Sequence, residues 1–443
     1  MRVAVVGSGV SGLVAARELH RARDITVFEA DRRVGGHVHT WTLHAGGRSW
    51  PVDSGFIVYN ERNYPRFTRL LAELGVGSRP STMGFSVRSD RTGLEYSGSS
   101  LRGLFVQPRN VVNPAFLRML ADILRFDREA PRAVRRRPAG EEPLGALLER
   151  GRYSRAFREW YIQPMASAIW SVPLARVLEM PAAFFVRFFE NHGLLTLGDR
   201  PRWRVVRGGS ARYVDALVAP FRDRIRVGRR VRRVARFADR VEVDGEPFDR
   251  VVLACHSDQV LELLADPTAA EREVLGALPY QVNDAVVHTD VSMLPRSRAA
   301  WASWNYRLGG DPAGPATLTY NMNILQSLDA PETFCVTLNG GDAIDPARVL
   351  GRVRYHHPVY TVAGEAARRR RGEISGPNRT HYCGAYWGNG FHEDGVVSGL
   401  AAAREIGAAA RAEVLAAVPR APARGSLETG VGDGAAEPAV AVP

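Results

Sequence analysis

The first thirty residues predict an α/β protein built on a parallel sheet, and three observations support this prediction. RVAVV at residues 2–6 and ITVFEA at residues 25–30 are short and rich in apolar residues, as strands buried on both faces are. Between them, LVAARELHRA at residues 13–22 has apolar residues at helical spacing. A strand, a helix and a strand in this order form the βαβ unit of a parallel sheet.

The turn between the first strand and the helix has the pattern G-x-G-x-x-G, with Gly7, Gly9 and Gly12. Gly7 permits the tight turn, Gly9 lets backbone amides approach a pyrophosphate, and Gly12 lets the helix pack against the strand. Glu29, at the end of the second strand, is placed to accept hydrogen bonds from a ribose diol. Together these features predict a Rossmann-like domain that binds a dinucleotide, with the phosphates at the positive end of the helix.

The size and charge of the chain limit its architecture and partners. The chain has 443 residues, which is more than one hydrophobic core usually accommodates, so we expect two domains. All 59 basic residues are arginine, and the net charge is +12. Arginine clusters at 135–137, 229–233 and 368–371 lack the interleaved aromatic residues that stack on bases. We therefore expect no nucleic-acid partner and favour attraction to an anionic membrane surface.

The cysteines and histidines give no metal or disulfide pattern. Cys255, Cys335 and Cys383 form no C-x-x-C pair. His356 and His357 are adjacent, and neighbouring residues of a strand point to opposite faces, so we predict no metal site. The chain opens directly on a strand and a glycine turn, and no apolar run reaches the length of a membrane span. We expect a cytoplasmic protein, either free or attached to a membrane surface.

The remaining elements follow in order. A helix is predicted near residues 64–76, and helical stretches rich in aromatic residues continue to residue 204. The phenylalanines of PAAFFVRFFENHG suit a core and also the wall of an apolar pocket. RVVLAC at 250–255 resembles the first strand and therefore belongs in the same sheet. The tail, residues 421–443, is rich in Gly, Pro and Ala, and we predict that it is disordered.

Four segments in three separated blocks of the chain resemble the flavin amine oxidase superfamily, which includes phytoene desaturases and protoporphyrinogen oxidases. ADRRVGGHVHT at 30–40 places a glycine pair after the acid, as that family does, although His37 stands where arginine is usual. VDSGF at 52–56 resembles the loop that approaches the flavin, and RRVRRV at 229–234 resembles the middle segment. YCGAYWGNGFHEDGVVSGLAAA at 382–403 resembles the C-terminal flavin segment. Blocks at this spacing are more specific than any one motif.

The resemblance implies an FAD-binding Rossmann-like domain of the glutathione-reductase type, discontinuous in sequence, with an inserted α+β substrate domain. The implied FAD domain comprises residues 1–85, 205–285 and 379–420, and the substrate domain has a helical part, 86–204, and a sheet part, 286–378. The predicted cofactor-binding residues are Gly7, Gly9, Val10, Ser11, Gly12, Glu29, Gly35, Gly36, His37, Asp53, Gly55, Val231, Gly384, Gly395 and Val396.

The C-terminal block also has its own physical logic. Glu393 or Asp394 can cap a helix that is expected to begin near Val396. The positive end of this helix is then expected to point at the flavin edge that becomes negative on reduction. The family commonly has an acid after the glycine equivalent to Gly384, and Ala385 stands here instead. A contact to the ribityl or phosphate region must therefore come from elsewhere.

The implied activity is that of an FAD-dependent oxidoreductase, which moves a hydride between a C–H bond of an apolar substrate and flavin N5. The runs GFIVYNERNYPRF, HSDQ and GFHEDG are closest to bacterial flavoproteins associated with modification of lipid acyl chains, so an acyl chain is the first choice of substrate. Many amine oxidases of the superfamily hold a water with a lysine, and this chain has none. An amine oxidase that makes hydrogen peroxide stays the enzymatic alternative, and a flavin-free lipid carrier is the non-enzymatic one.

Three residues are the predicted catalytic candidates. His392 lies between the flavin loop and the C-terminal helix, where proton transfer and a backbone contact are equally good roles. Tyr59 follows the VDSGF loop, and Tyr320, with Asn321, lies in a polar aromatic strand of the expected substrate domain. The substrate, the direction of reaction, the oligomeric state, any covalent flavin link and the electron acceptor (oxygen, a quinone or a carrier protein) stay open.

Overall fold

The structure is a computed structural model that describes residues 1–136, 142–196, 198, 200–309 and 317–417. The tail predicted to be disordered, residues 421–443, lies outside the described residues. The described residues form a five-stranded parallel sheet, a seven-stranded mixed sheet and three smaller sheets, with helices packed against the two large sheets. This is the two-part α/β architecture that the sequence predicts.

The strands of the described chain are β1 (Arg2–Val6), β2 (Asp24–Phe28), β3 (Thr40–Ala45), β4 (Arg48–Asp53), β5 (Val58–Asn60), β6 (Ser78–Pro80), β7 (Phe85–Ser89), β8 (Glu95–Ser97), β9 (Trp203–Val206), β10 (Ile225–Arg226), β11 (Val234–Arg236), β12 (Val241–Val243), β13 (Glu246–Phe248), β14 (Arg250–Leu253), β15 (Tyr280–His288), β16 (Trp304–Leu308), β17 (Thr317–Asn321), β18 (Cys335–Leu338), β19 (Val349–Pro358) and β20 (Thr380–Tyr382).

The α-helices of the described chain are α1 (Val10–Leu19), α2 (Pro65–Glu73), α3 (Leu101–Leu104), α4 (Pro114–Arg136), α5 (Leu144–Arg150), α6 (Arg155–Phe157), α7 (Gln163–Trp170), α8 (Leu174–Val177), α9 (Ala182–Asn191), α10 (Ala211–Val218), α11 (Ser257–Leu263), α12 (Ala269–Gly276), α13 (Met322–Leu325), α14 (Val362–Arg369), α15 (Arg371–Ile374) and α16 (His392–Ala417). A π-helical segment, Arg158–Ile162, joins α6 to α7, and the remaining helical turns are of the 3₁₀ type.

The five-stranded sheet has the order β10-β2-β1-β14-β20, and all its strands are parallel. Its central strands are buried because α1, α10 and α16 cover one face, while the three-stranded sheet β11–β13 with α11 and α12 covers the other, which explains their continuous apolar runs. The strands come from three separated parts of the chain, as the prediction of a discontinuous FAD domain requires. Because the five strands are parallel, their carboxyl ends all lie at one edge of the sheet. This edge carries the predicted cofactor residues.

The seven-stranded sheet has the order β19-β15-β18-β17-β16-β7-β8 and is antiparallel except for the pair β16 and β7. β7 and β8 come from a region that was predicted as helical, and β15 begins at Tyr280, before the predicted boundary at residue 285. The other domain boundaries stay predictions. In the described chain, no helix combines the length and apolar character that crossing a membrane requires.

Two hydrophobic cores meet near the predicted site. One core lies between the parallel sheet and the helices α1, α2, α10 and α16. The other joins α4, α5, α7 and α9 to one face of the larger sheet, and it contains Phe184, Phe185, Phe188 and Phe189. These phenylalanines are therefore core residues, and Trp170 of the same core also lines the cavity described below.

Candidate active site

The glycine turn after β1 leaves the amino end of α1 open. Gly9 precedes the helix, no side chain caps it, and its first turn carries no acid. A Cβ on Gly9 would meet no described atom within 4 Å, whereas one on Gly7 would lie 2.8 Å from the Ala254 carbonyl oxygen. Gly7 therefore fixes the turn and Gly9 leaves space above it. The free amides and the helix dipole make this end of α1 suited to a pyrophosphate.

The loop with the glycine pair lies directly over this turn. The Gly35 N–H donates to the Ser8 carbonyl oxygen at 3.0 Å, and a Cβ on Gly36 would lie 3.1 Å from the Gly9 Cα atom. Gly35 and Gly36 have φ values of +110° and +56°, which favour glycine. The Arg33 guanidinium holds the loop by donating to the Gly36 carbonyl oxygen at 2.7 Å. Sequence reasoning missed Arg33, although it is the arginine nearest the pair.

Glu29 lies beside the same turn, at the carboxyl end of β2. Its carboxylate accepts the N–H groups of Ser8 (2.9 Å) and Asp31 (2.8 Å), and its side chain is largely buried. The Arg229 N–H donates to the Glu29 carbonyl oxygen at 2.8 Å, which brings the loop with Val231 to this edge. The structure thus places Glu29, which is predicted to meet the ribose, beside the loop that carries Val231, and the contacts of both residues with FAD stay predictions.

Helix α16 packs closely on α1 because two glycines of α16 face α1. A Cβ on Gly395 would collide with the Val10 side chain, and one on Gly399 would collide with the Ser11 carbonyl oxygen. Val396 is buried in the core between these helices. The side chains of Val10 and Val396 therefore pack helix against helix, and only the backbone of the first turn of α1 remains for a cofactor.

The start of α16 differs from the prediction. The helix begins at His392, four residues before Val396. The Asp394 carboxylate accepts the Phe391 N–H at 2.9 Å, so the acid reaches back from the first turn and permits this earlier start. The Glu393 carboxylate instead accepts two N–H groups at the start of α2, at 3.0 and 2.9 Å. The two adjacent acids thus accept hydrogen bonds from backbone N–H groups at the amino ends of two different helices.

Asp53 has a structural role that the sequence did not reveal. Its fully buried carboxylate accepts hydrogen bonds from the Thr40 hydroxyl, from the N–H and hydroxyl of Ser210, and from the Gln326 amide. A carboxylate offers about four acceptor positions, and these donors use them. Burial raises the pKa of Asp53 to about 6, against the opposing effect of the hydrogen bonds. We therefore correct the predicted cofactor contact of this side chain: it fixes the loop that follows.

Two other predicted glycines, Gly55 and Gly384, lie at close contacts between separate segments of the chain. A Cβ on Gly55 would collide with the His37 carbonyl oxygen, so the VDSGF loop lies against the glycine-pair loop. The Gly384 N–H donates to the Ser398 hydroxyl at 3.0 Å, which joins the end of β20 to α16. Both positions border the predicted flavin site, and their FAD contacts stay predictions.

A cavity of about 110 Å³ lies between these loops and the larger sheet. Three of its walls are the VDSGF loop, the aromatic ends of the larger sheet and the start of α16. Its lining residues are His37, Ser54, Gly55, Phe56, Ile57, Val58, Ile169, Trp170, Ser171, Trp304, Tyr320, Leu325, Leu338, Tyr355, His357, Pro358, Tyr360, Asn389, Gly390, Phe391 and His392. This lining contains no aspartate, glutamate or arginine.

The histidines of the cavity are neutral at neutral pH. Burial lowers the pKa of His37 to about 4 and that of His392 to about 3. Burial, helped by His37, lowers the pKa of His357 to about 3. His37 also lies 3.0 Å through Nε2 from the His356 carbonyl oxygen and stacks on Tyr355 with ring centres 5.1 Å apart. The cavity therefore offers uncharged imidazoles.

The predicted catalytic residues have different locations. His392 and Tyr320 line the cavity. Tyr59 does not, because neighbouring residues of β5 alternate in direction and Val58 takes the cavity side. The Tyr59 ring instead packs on Phe67, with ring centres 5.1 Å apart, so we correct its predicted catalytic role. Asn321 caps α13 by accepting the N–H of that helix's third residue.

Sequence reasoning missed several cavity residues. Trp304 lies in β16 of the larger sheet, whereas Tyr355 lies in β19 and Tyr360 just after the end of that strand. Each follows or precedes other aromatic residues, as in WASWNY and YHHPVY, and that local enrichment is the signal that could have found them.

The residues at this edge fit FAD. Buried polar atoms are normally hydrogen-bonded, yet several near the strand ends have no partner in the described chain. They include His39 Nδ1 and His392 Nε2. A cofactor with phosphates, hydroxyls and ring nitrogens supplies partners of the required kind. Together with the open end of α1, these atoms support FAD binding along the edge.

The parallel sheet, the open glycine turn and the capped C-terminal helix define a flavoprotein of the dinucleotide-binding class. A model of the flavin containing amine oxidoreductase family matches residues 10–291, so the chain belongs to this family. The predicted resemblance, the fold and the FAD cofactor are confirmed, and the chain is an FAD-dependent oxidoreductase. When bound, FAD supplies a two-electron acceptor for a hydride.

The proteins that this chain resembles are named for different reactions. The carotenoid phi-ring synthase of Chlorobaculum tepidum is 27% identical over 162 residues, which cover 36% of this chain and 23% of the synthase. A fatty acid isomerase from P. acnes has a TM-score of 0.67 at 16% identity and covers 91% of this chain and 98% of its own. Wild-type putrescine oxidase has a TM-score of 0.65 at 16% identity, with coverages of 92% and 99%. The two structural likenesses establish the fold.

Proposed function

We propose that this oxidoreductase acts on a C–H bond of an apolar substrate, with a lipid acyl chain as the first choice. The observation that supports this most is the composition of the cavity wall, which combines aromatic and aliphatic side chains with neutral histidines and no charged group. Burying a charge without a partner costs far more than burying an alkyl chain. Such a wall therefore favours an uncharged, apolar reacting segment.

Two polar atoms of the wall suggest one oxygen on the substrate. The Trp304 indole Nε1 and the Tyr360 hydroxyl are buried and have no hydrogen-bond partner in the described chain. The indole N–H is a donor only, and the phenol can donate. The carbonyl oxygen of an ester or carboxylic acid is a matching acceptor. These atoms then orient the chain by its oxygen-bearing end.

His392 is suited to positioning rather than to carrying a positive charge. Its ring packs between Phe56 and Phe67, with both ring centres 4.5 Å away, and its Nε2 has no partner in the described chain. Because burial lowers its pKa to about 3, it is neutral during turnover at neutral pH. We propose that it makes one uncharged hydrogen bond to the substrate or the cofactor while the aromatic rings exclude water.

An amine oxidase is the second candidate. The rings of Trp304 and Tyr320 line the cavity and can interact with a cation through their faces, which supports this alternative. The absence of a carboxylate in the cavity wall and of lysine in the chain weighs against it.

Anaerobic bleaching of the flavin tests the proposal. We expect phospholipids with unsaturated or methylated acyl chains to bleach the flavin and common amines to leave it oxidised. Bleaching by amines, with peroxide released on admitting air and no effect of lipids, would establish the second candidate instead. Purified protein without flavin absorbance would support the carrier alternative.

A variant sharpens the test. Tyr360→Phe removes the hydroxyl, and one lost hydrogen bond should raise the lipid KM about threefold to tenfold. Tyr153→Phe is the matched control, because its hydroxyl meets Glu129 outside the cavity. Equal KM values for both variants would contradict the role assigned to Tyr360.

A further inference from the structure

An apolar patch stands exposed on the helical part of the molecule. Twelve large apolar side chains are exposed in the described chain, and five lie within 24 consecutive residues. They are Leu101, Val111, Val112, Leu117 and Leu124. Leu101 and Val112 are 78% and 77% exposed, which is rare for aliphatic side chains in a folded domain. The Phe105 ring, directly after α3, contacts the Phe116 ring of α4 with centres 6.2 Å apart, which connects the end of α3 to the start of α4, and we call the five residues the apolar patch.

Helix α4 continues the patch into a basic region. Residues three and four apart share one side of a helix, and the exposed stripe of α4 is Leu117, Ala121, Leu124, Arg128, Arg132 and Arg135. Residues 101–136 contain eight arginines and three acids. Asp122 is buried and paired with Arg118 and Arg125, so it adds little to the surface. The stripe is therefore apolar in its first half and positively charged in its second.

We propose that this patch and stripe bind the surface of an anionic phospholipid bilayer. Exposed aliphatic residues beside arginines match the acyl boundary and the anionic headgroups, respectively. In the described part of residues 101–136 no aromatic ring is fully exposed, which disfavours stacking on nucleic-acid bases.

The opposite face of α4 connects the patch to the cavity. Phe126 of α4 contacts Phe185, with ring centres 6.3 Å apart, and Phe185 contacts Trp170 at 6.0 Å. Trp170 lines the cavity. A chain of contacting aromatic rings therefore connects the helix of the proposed bilayer contact to the wall of the proposed reaction site. Membrane binding itself does not depend on the identity of the substrate.

Vesicle cosedimentation of the full-length, FAD-loaded protein tests the inference. We expect binding to vesicles of phosphatidylcholine with about one third phosphatidylglycerol, and weak binding to phosphatidylcholine alone. The variant Val111→Asp with Val112→Asp should bind at least tenfold more weakly with unchanged flavin content. Leu350→Asp, at an exposed aliphatic position of the larger sheet, is the matched control and should bind like the wild type.

Charge is tested in the same assay. Arg128→Gln with Arg132→Gln should weaken binding to anionic vesicles by about fivefold for each arginine removed. Arg21→Gln with Arg272→Gln removes the same charge at exposed positions elsewhere and should have little effect. The inference is overturned if the wild type binds neither vesicle, or if patch and control variants behave alike. It is also overturned if light scattering shows a dimer that the Val111→Asp, Val112→Asp variant abolishes, because a second copy then covers the patch.

Discussion

A buried histidine far from the cofactor edge allows a quantitative prediction about acid stability. His288 ends β15 and is fully buried. Its Nδ1 accepts the Asp290 N–H at 3.0 Å, and its Nε2 lies 2.7 Å from the Thr337 hydroxyl. Because Nδ1 is an acceptor, the ring must be neutral in the folded protein. Burial lowers the pKa of His288 from 6.5 to about 4, against the opposing effect of Asp290.

The sign and size of the effect follow from linkage. As the pH falls, the unfolded chain takes up this proton near pH 6.5 and the folded chain only near pH 4, so protonation favours unfolding. The stability from this residue is complete above pH 6.5 and is lost as the pH falls towards 4. Between pH 8 and pH 5 the loss is roughly 2 kcal/mol, and it reaches roughly 3 kcal/mol below pH 4.

Urea unfolding followed by tryptophan fluorescence measures this loss. The variant His288→Gln removes the titrating group, so between pH 8 and pH 5 its free energy of unfolding should fall by about 2 kcal/mol less than that of the wild type. The other buried histidines contribute equally to both proteins and cancel. His44→Gln, at an exposed position, should keep the full pH dependence. Equal losses for the wild type and His288→Gln would refute the reasoning.

Three further predictions concern the cofactor edge. Gly399→Ala should destabilise the contact between α1 and α16 by about 1–3 kcal/mol and lower the flavin content measured by absorbance, whereas Gly407→Ala, with no described atom within 4 Å of its added Cβ, should not. Glu393→Gln should weaken the amino end of α2 by about 1 kcal/mol, and an unchanged melting temperature would contradict this. Arg33→Ala should weaken FAD binding by about fivefold to thirtyfold in a titration of stripped protein, while Arg32→Ala, at an exposed position, should leave it unchanged.

The parallel sheet and its cofactor edge could be predicted because each depends on short patterns within the sequence. Valine-rich strands, the glycine turn and the acid at Glu29 each act within a few residues, and the physical reasons for their spacing are known. Among the glycines that the sequence singled out, Gly7, Gly35 and Gly36 have positive φ values, and a Cβ on Gly12 or Gly55 would collide with a backbone carbonyl oxygen.

The cavity that we propose as the reaction site could be predicted only in part, because its wall is assembled from distant segments. His392 and Tyr320 were found, but Trp304 and Tyr360 depend on how the larger sheet packs against the FAD domain. Tyr59 was misassigned because the phase of a three-residue strand cannot be read from so short a run. Asp53 was misassigned because its donors lie up to 273 residues away in sequence.

The hydrogen bonds of Asp53 also constrain when, during synthesis and folding, the loop beside the predicted cofactor site can form. The carboxylate joins a hairpin near the amino terminus to Ser210 and to Gln326, and β20 and α16 are added later still. Contacts between such distant segments form slowly, because long loops must close first. During synthesis on the ribosome, the VDSGF loop cannot take its final form until most of the chain has emerged. FAD is therefore expected to be captured after synthesis, by a chain that already holds both sheets.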